Sequence, residues 1–323
     1  MSQPIATYSF LPWLRQGLSN KIEEIDGASI KERASIKIGL NLNAVNLEGK
    51  DVEHKFEKDI RLFGPGDIVG IEQQAIIKTE PHNWITNFEP NYLPFIDFYD
   101  EDFPWRYTPA KPDEVNHRLR PWIALIVLKE GEFEDGKNLK DKPLPFVEVT
   151  NAATLFPPAD QLWAWAHVHV NKNIGINNDE IVSNDGTNVA TRLQDLLNDN
   201  RDWAYSRILC PRHLEDNAAY HAFLMPVFET GRLAGLGLDQ TKAPKATTSA
   251  WDMAYSNRAE SLNFPYYHRW YFRTGTVGDF EYLVRLLKPQ PVDSRVGTRD
   301  MDVQAPAPYL NIHGITHPDL GGV

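Results

Sequence analysis

Two histidines separated by one residue, His167 and His169, are the best candidates for metal ligands in the sequence. Residues 163–170 alternate strictly between Trp or His and Ala or Val, and this period of two predicts a half-buried β-strand. On a strand both imidazoles point to the same face, so both could bind one ion. Such a site needs a third protein ligand. The candidates for that ligand, which no spacing distinguishes, are His213, His221 and His268.

The same strand carries two tryptophans, which open other interpretations of its face. Trp163 and Trp165 precede His167 with the same period of two, so all these side chains would share one side. That side could be a platform that stacks on sugar rings, as in a carbohydrate-binding module. It could also be an ordinary, partly hydrated sheet face. A metal-dependent hydrolase and a carbohydrate-binding module are therefore the two alternatives to the function predicted below.

A glycine-rich stretch, Thr230-Gly-x-x-x-Gly235-x-Gly237, follows an apolar strand. The pattern is similar to the nucleotide-binding turn of short-chain dehydrogenases, in which glycines let backbone amides approach a pyrophosphate. A Rossmann unit requires a helix directly after these glycines. Here residues 238–249 form a polar, proline-containing stretch without apolar periodicity. The sequence therefore does not favour dinucleotide binding.

Other catalytic patterns also lack their expected context. Ser206, His213 and Asp216 lie close in sequence, but no Gly-x-Ser-x-Gly elbow occurs. Cys210 lies in an apolar stretch, which predicts a core residue rather than a nucleophile. Carboxylate pairs such as Asp100 and Asp102 belong to no pocket motif, and no P-loop or Cys-x-x-Cys pattern appears. We therefore expect a protein that is not an enzyme and that has no cofactor.

The elements that would position these residues indicate an α+β, β-rich fold. Strands are predicted at 36–42, 59–63, 68–71, 75–79, 119–128, 143–149, 163–170, 220–228 and 266–273. The continuous apolar run that ends at Leu128, bounded by Pro121 and Lys129, fits a strand buried on both faces. Helices are predicted at 12–25, 187–198 and 280–288, with a short turn or helix at 229–237. Tyr8 and Phe10 would form an apolar lead-in to the first helix, and Leu193, Leu196 and Leu197 would lie on the apolar side of the second. The predicted domains are an N-terminal helical arm (1–28), a small β-rich domain (29–110), a mixed α/β domain (111–289) and an extended Pro-rich tail (290–323).

Composition and charge limit the classes of partner. The chain has 33 Lys and Arg against 44 Asp and Glu, a formal net charge of −11. Nucleic acid and anionic membranes select basic surfaces, so neither is expected as a partner. The longest apolar run, at 123–128, is far shorter than the ~20 residues of a membrane helix. No signal peptide is visible at the N-terminus, and a single cysteine forms no intrachain disulfide. We expect cytoplasmic synthesis and no membrane segment.

Aromatic residues make up 11% of the chain and concentrate in two stretches, 8–14 and 88–107. Trp, Tyr and Phe dominate the anchors of protein interfaces, so both stretches are candidate contact surfaces. The alternative for 88–107 is a long connection across the core with its rings tucked inward. The interface candidates are Tyr8, Phe10, Trp13, Leu14, Tyr92, Phe95, Phe98, Phe103 and Trp105.

Long aromatic blocks spread over about residues 8–289 resemble one known family. The blocks are Tyr8-Ser-Phe-Leu-Pro-Trp-Leu-Arg-Gln-Gly-Leu, Gly64-Pro-Gly-Asp-Ile-Val-Gly, Phe88-Glu-Pro-Asn-Tyr-Leu, Asp102-Phe-Pro-Trp-Arg-Tyr-Thr-Pro-Ala, Leu119-Arg-Pro-Trp, Trp163-Ala-Trp-Ala-His-Val-His-Val, Ser206-Arg-Ile-Leu-Cys-Pro-Arg, Tyr266-Tyr-His-Arg-Trp-Tyr-Phe-Arg-Thr-Gly and Gly278-Asp-Phe-Glu-Tyr-Leu-Val-Arg-Leu-Leu-Lys-Pro. They are similar to baseplate-associated proteins of phage-tail-like extracellular contractile injection systems. The resemblance implies a structural subunit that binds other baseplate proteins within an assembled particle. It carries over no catalytic residue, and it implies that members often continue past residue 323. The sequence alone predicts that residues 290–323 form an extended tail or link to a further domain.

Overall fold

The computed structural model describes residues 9–11, 35–110, 119–137, 139–172, 174, 187–252, 262–276, 278, 284, 286–288, 301–302 and 321–322. The chain divides into two compact units, Met1–Val277 and Gly278–Val323. The first unit is α+β and β-rich, as the sequence predicts. The second, in its described part, contains the short antiparallel strands Met301–Asp302 and Gly321–Gly322.

The first unit contains fourteen strands among its described residues. They are β1 (Ser9–Leu11), β2 (Ser35–Val45), β3 (Asp51–Arg61), β4 (Ile76–Glu80), β5 (Ile85–Phe88), β6 (Phe95–Phe98), β7 (Ile123–Lys129), β8 (Phe133–Asp135), β9 (Phe146–Val149), β10 (Ala166–Val170), β11 (Ala204–Leu209), β12 (Ala219–Pro226), β13 (Leu262–Pro265) and β14 (His268–Thr274). The α-helices of the same residues are α1 (Ala152–Leu155), α2 (Thr187–Asp199) and α3 (Glu229–Gly235).

These strands form three sheets and a separate hairpin. A five-stranded antiparallel sheet has the order β1-β10-β11-β6-β4, and a three-stranded sheet has the order β13-β9-β8. A four-stranded sheet has the order β5-β14-β12-β7, in which only β5 pairs in parallel with its neighbour. The hairpin consists of β2 and β3.

The five-stranded sheet crosses the domain boundary predicted near residue 110. Strands β4 and β6 precede this point, whereas β10 and β11 follow it, and β6 pairs directly with β11. Residues on both sides therefore belong to the same compact unit. The predicted boundary near residue 110 therefore falls within one compact unit.

The core is built around β7, which the apolar run correctly predicts to be buried on both faces. Ile123 through Leu128 are at most 2% exposed, as is typical of a strand covered from both sides. Trp122, just before this strand, contacts the rings of Phe103, Tyr107 and Tyr267. Its indole N–H donates to the carbonyl of Phe103 at 2.7 Å. This satisfied donor lets a large ring be buried without an unpaired polar group.

Several element predictions are confirmed, and others are wrong. The helix predicted at 187–198 is α2, and it buries Leu193, Leu196 and Leu197 as expected. The predicted strand at 68–71 is absent, because the chain there is irregular after a 3₁₀ turn at Pro65–Asp67. The predicted helices at 12–25 and, for most of its length, 280–288 lie outside the described residues, as does most of the predicted tail.

Candidate protein-interaction surface

The paired histidines lie on one strand, but the tryptophans do not. His167 and His169 are on β10 with ring centroids 6.3 Å apart, which confirms their common face. Residues Ala159–Trp165 instead form a 3₁₀ helix, so Trp163 and Trp165 do not continue the strand. The strict alternation over 163–170 thus overestimated the length of β10, because alternation of large and small residues does not by itself fix the backbone.

Arg207 on the neighbouring strand β11 dominates the charge around both histidines. It lies opposite His167 in register, and its guanidinium donates to both carboxylate oxygens of Asp97 on β6 at 2.7 and 2.9 Å. Burial and the charge of Arg207 lower the pKa of His169 to about 3 and also lower the pKa of His167. The His167 Nε2–H donates to the carbonyl of Ala164 at 2.7 Å.

The paired histidines do not by themselves form a metal centre, because such a site needs a third protein ligand. Burial first, and the Arg207 guanidinium second, disfavour a positive charge on both imidazoles. Within the described part of the chain, no group of three His, Cys, Asp or Glu residues could hold an ion. The third-ligand candidates lie elsewhere: His221 and His268 are on the four-stranded sheet, and His213 contacts the carbonyl of Leu214.

The buried His169 predicts a specific loss of stability in acid. Its folded-state pKa is below the ordinary 6.5, so the unfolded chain binds a proton first, and stability falls as pH drops below about 6.5. We expect His169→Leu to reduce the change in the free energy of unfolding with pH by up to about 1.4 kcal/mol per pH unit. Urea denaturation at several pH values between 5 and 7 measures it. Equal slopes for the variant and the wild-type chain would contradict the burial of a neutral His169.

Two further candidates of the sequence analysis, Cys210 and Ser206, are buried in the fold. Burial raises the pKa of the Cys210 thiol to about 11, which suits a core residue and not a nucleophile. The Ser206 hydroxyl is buried and donates to the carbonyl of Asp100 at 2.7 Å. Both are thus engaged inside the fold.

The glycine-rich motif is a packing device. Gly231 and Gly235 lie on the short buried helix α3. A Cβ at Gly231 would be 2.9 Å from the Cβ of Pro226, and one at Gly235 would be 2.8 Å from that of Pro265. Gly237 adopts a positive φ of 67° just after the helix, which glycine permits at no steric cost. Close backbone approach explains the spacing without a nucleotide.

Three of the aromatic interface candidates are part of the chain's own core. Phe98, Phe103 and Trp105 are almost fully buried, and the Trp105 indole N–H donates to the carbonyl of Leu119 at 3.1 Å. Phe98 and Phe103 stack with centroids 4.5 Å apart. The expectation that these rings are exposed anchors is therefore wrong. The alternative, a connection that lays its rings over the core, describes this part of 88–107.

The other candidates have different positions. Tyr92 is 56% exposed, and Phe95 is half-buried with its ring 3.6 Å from the Arg207 guanidinium carbon. Phe10 lies on β1, paired with His169, where the sequence predicts only a lead-in to a helix. Tyr8, Trp13 and Leu14 lie outside the described residues.

A cluster of exposed apolar side chains belongs to the β2–β3 hairpin, which the sequence analysis does not single out. Register pairs such as Leu40–Phe56 and Leu42–His54 place alternate residues of both strands on one face. On this face, Leu40, Leu42, Val52, Phe56 and Ile60 are between 41% and 55% exposed. We call it the apolar hairpin face. The opposite face is polar, with residues such as Asn41 and Lys55.

The hairpin has a defined tip. Asn46 accepts hydrogen bonds on its side-chain oxygen from the backbone N–H groups of Glu48 and Lys50, at 3.0 and 2.9 Å. Gly49 takes a positive φ of 77°, which closes the turn. Leu47 at the tip is fully exposed. The turn thus fixes the register while it projects an apolar side chain into solvent.

One further exposed aromatic residue lies on the four-stranded sheet. Trp84 is 71% exposed, has a positive φ of 67° and packs 4.8 Å from the ring of Tyr271. A bulky residue with positive φ is strained, and its backbone N–H donates to the Tyr271 carbonyl at 2.7 Å. Trp84 precedes the edge strand β5, and no sequence pattern identified it.

Searches of protein families, curated proteins and solved structures find no match to this chain. None of the helices that the structure describes combines the length and apolar character needed to span a bilayer.

Proposed function

We propose that this chain is a structural subunit of a contractile injection system baseplate and acts through protein–protein contacts rather than catalysis. The apolar hairpin face is the observation that supports an assembly role. Two-stranded hairpins are marginally stable in water by themselves, and exposed apolar patches mark interaction sites. The assignment to a baseplate rests on the sequence resemblance.

The proposal includes the finer features predicted from sequence. An N-terminal helical arm within 1–28 would carry Trp13 and Leu14 to a neighbour, and the Pro-rich tail would extend the contact. The chain would be made in the cytoplasm and then reside in the assembled particle. Its partners would be other baseplate proteins, with no nucleic acid, cofactor or metal involved.

A charge placed on the apolar hairpin face is expected to block incorporation into particles. Leu40→Asp with Phe56→Asp would bury two unpaired carboxylates at the contact, which costs several kcal/mol. Since each 1.4 kcal/mol is tenfold in an equilibrium constant, we expect a loss on the order of 100-fold. The measurement is the amount of this chain in particles purified from the organism that encodes it.

The matched control changes the neighbouring cross-strand pair, Asn41 and Lys55, whose side chains lie on the polar face. Asn41→Asp with Lys55→Gln changes the net charge by the same amount and on the same two strands. This variant should be incorporated as the wild-type chain is. Circular dichroism and thermal denaturation establish that both variants fold. Normal incorporation of the Leu40 and Phe56 variant would show that the apolar hairpin face makes no contact in the particle.

A further inference from the structure

The two outer edges of the hairpin differ sharply in charge. Strand β3 carries seven charged residues among its eleven, whereas β2 carries only Lys37. The charged residues of β3 are Asp51, Glu53, Lys55, Glu57, Lys58, Asp59 and Arg61. Charged side chains protect an edge strand from pairing with another chain. The β3 edge is therefore protected, and the β2 edge is not.

The β2 edge is also unpaired within the described residues. In that part of the chain, β3 is the one strand with which β2 pairs. A sheet of three or more strands with an apolar face is needed for independent stability. Among the described residues the hairpin thus has fewer strands than such a sheet, and the uncharged β2 edge is the side on which a strand can be added.

The sequence of β2 is complementary to itself in antiparallel register. When two copies pair about Leu40, each Leu40 faces the other, and Ile38 faces Leu42 on the apolar side. On the polar side, Gly39 faces Asn41 and Lys37 faces Asn43. No like charges are opposed, and apolar residues meet apolar residues on one continuous face.

The size of the apolar hairpin face also favours two copies. Eleven residues at 3.4 Å give a strand of about 37 Å, and two strands are roughly 10 Å wide. This outline of roughly 370 Å² is under half of the ~800 Å² that one partner contributes to a standard interface. Two hairpins side by side approach that area. A closed two-fold pair is also the commonest form of self-association.

We infer that two copies of this chain pair through antiparallel β2 strands to form the four-stranded sheet β3-β2-β2-β3, whose joined apolar face docks on the assembly. Pairing adds a strand at the β2 edge of each hairpin and doubles the apolar surface available to a third component. The inference rests on the proposed function only for what this joined face binds. The pairing itself is a property of the isolated chain.

A cysteine at the two-fold centre tests the pairing. Directly opposed residues of antiparallel strands have Cα atoms about 4.5–5.5 Å apart, within the range that a disulfide spans. Leu40→Cys in the full chain should therefore form a covalent dimer under mild oxidation, seen on a non-reducing gel. The native Cys210 is buried and should not cross-link. Phe56→Cys, on the same face but on β3, is the matched control and should remain monomeric on the gel.

A second substitution tests the register. In the inferred pair Asn43 faces Lys37 of the other copy, so Asn43→Lys should lower the yield of Leu40→Cys dimer several-fold. Within its own hairpin residue 43 faces Glu53, so the new lysine does not destabilise the hairpin itself. Face-to-face packing of hairpins would leave residue 43 pointing away, and Asn43→Lys would then leave the yield unchanged. Equal cross-linking of Leu40→Cys and Phe56→Cys, or of neither, would overturn the inference. The two proposals can fail separately. If neither cysteine variant cross-links but the chain with Leu40→Asp and Phe56→Asp still fails to enter particles, the inferred β2 pairing is wrong and the proposed function stands.

Discussion

Replacing Trp105 with alanine is expected to destabilise the fold by about 3–5 kcal/mol, the usual cost of removing a buried aromatic side chain. The indole is 1% exposed, and its N–H bonds to the Leu119 carbonyl. The variant therefore loses ring packing and leaves that carbonyl without its donor. Chemical denaturation measures the change in the free energy of unfolding.

Tyr99→Ala is the control for this prediction, because Tyr99 lies in the same aromatic segment but is 62% exposed. A surface substitution of this kind usually changes stability by no more than about 0.5 kcal/mol. If Trp105→Ala keeps the wild-type midpoint, Trp105 is a surface residue and the core assignment fails. A defect in particle assembly caused by Trp105→Ala would, in our account, come from unfolding and not from a lost contact.

The second large effect is expected at the buried ion pair between Asp97 and Arg207. Asp97 is 1% exposed and accepts both guanidinium hydrogen bonds. Asp97→Asn keeps the shape of the side chain but leaves the Arg207 charge uncompensated in a largely buried position, at a cost of about 3–5 kcal/mol. Denaturation at neutral pH gives the difference from the wild-type chain.

Two comparisons isolate the cause of that loss. Glu57→Gln breaks the exposed Lys37–Glu57 pair and should cost no more than about 1 kcal/mol. Replacing both buried partners, Asp97→Leu with Arg207→Met, should be less harmful than Asp97→Asn, because no lone charge remains. An Asp97→Asn chain as stable as the wild type would mean that water reaches this pair.

The sequence predicts the elements whose patterns are local and strong. The apolar run around Ile123 identifies a doubly buried strand, and the leucines near Leu193 identify α2. In β3, by contrast, His54 and Lys58 interrupt the apolar alternation of Val52, Phe56 and Ile60. The hairpin partner of β2 was therefore predicted only at its C-terminal end, and the apolar hairpin face could not be recognised.

The orientation of the aromatic rings could not be read from composition. Trp105 and Tyr99 lie six residues apart in the same proline-broken segment, yet one is buried and the other is exposed. The difference comes from long-range pairing, since β6 joins β11 about 110 residues later in the chain. Such pairings decide which side of an irregular segment faces the core, and no local pattern encodes them.

The identity of the proteins that co-purify with this chain tests the central claim most directly. The full chain, tagged and expressed in the organism that encodes it, is purified under mild conditions, and bound proteins are identified by mass spectrometry. Our account predicts sheath, tube and spike proteins of a contractile particle, and their loss with Leu40→Asp and Phe56→Asp but not with Asn41→Asp and Lys55→Gln. Purification of the chain without any of these proteins, but with stoichiometric zinc that His169→Ala removes, would contradict it.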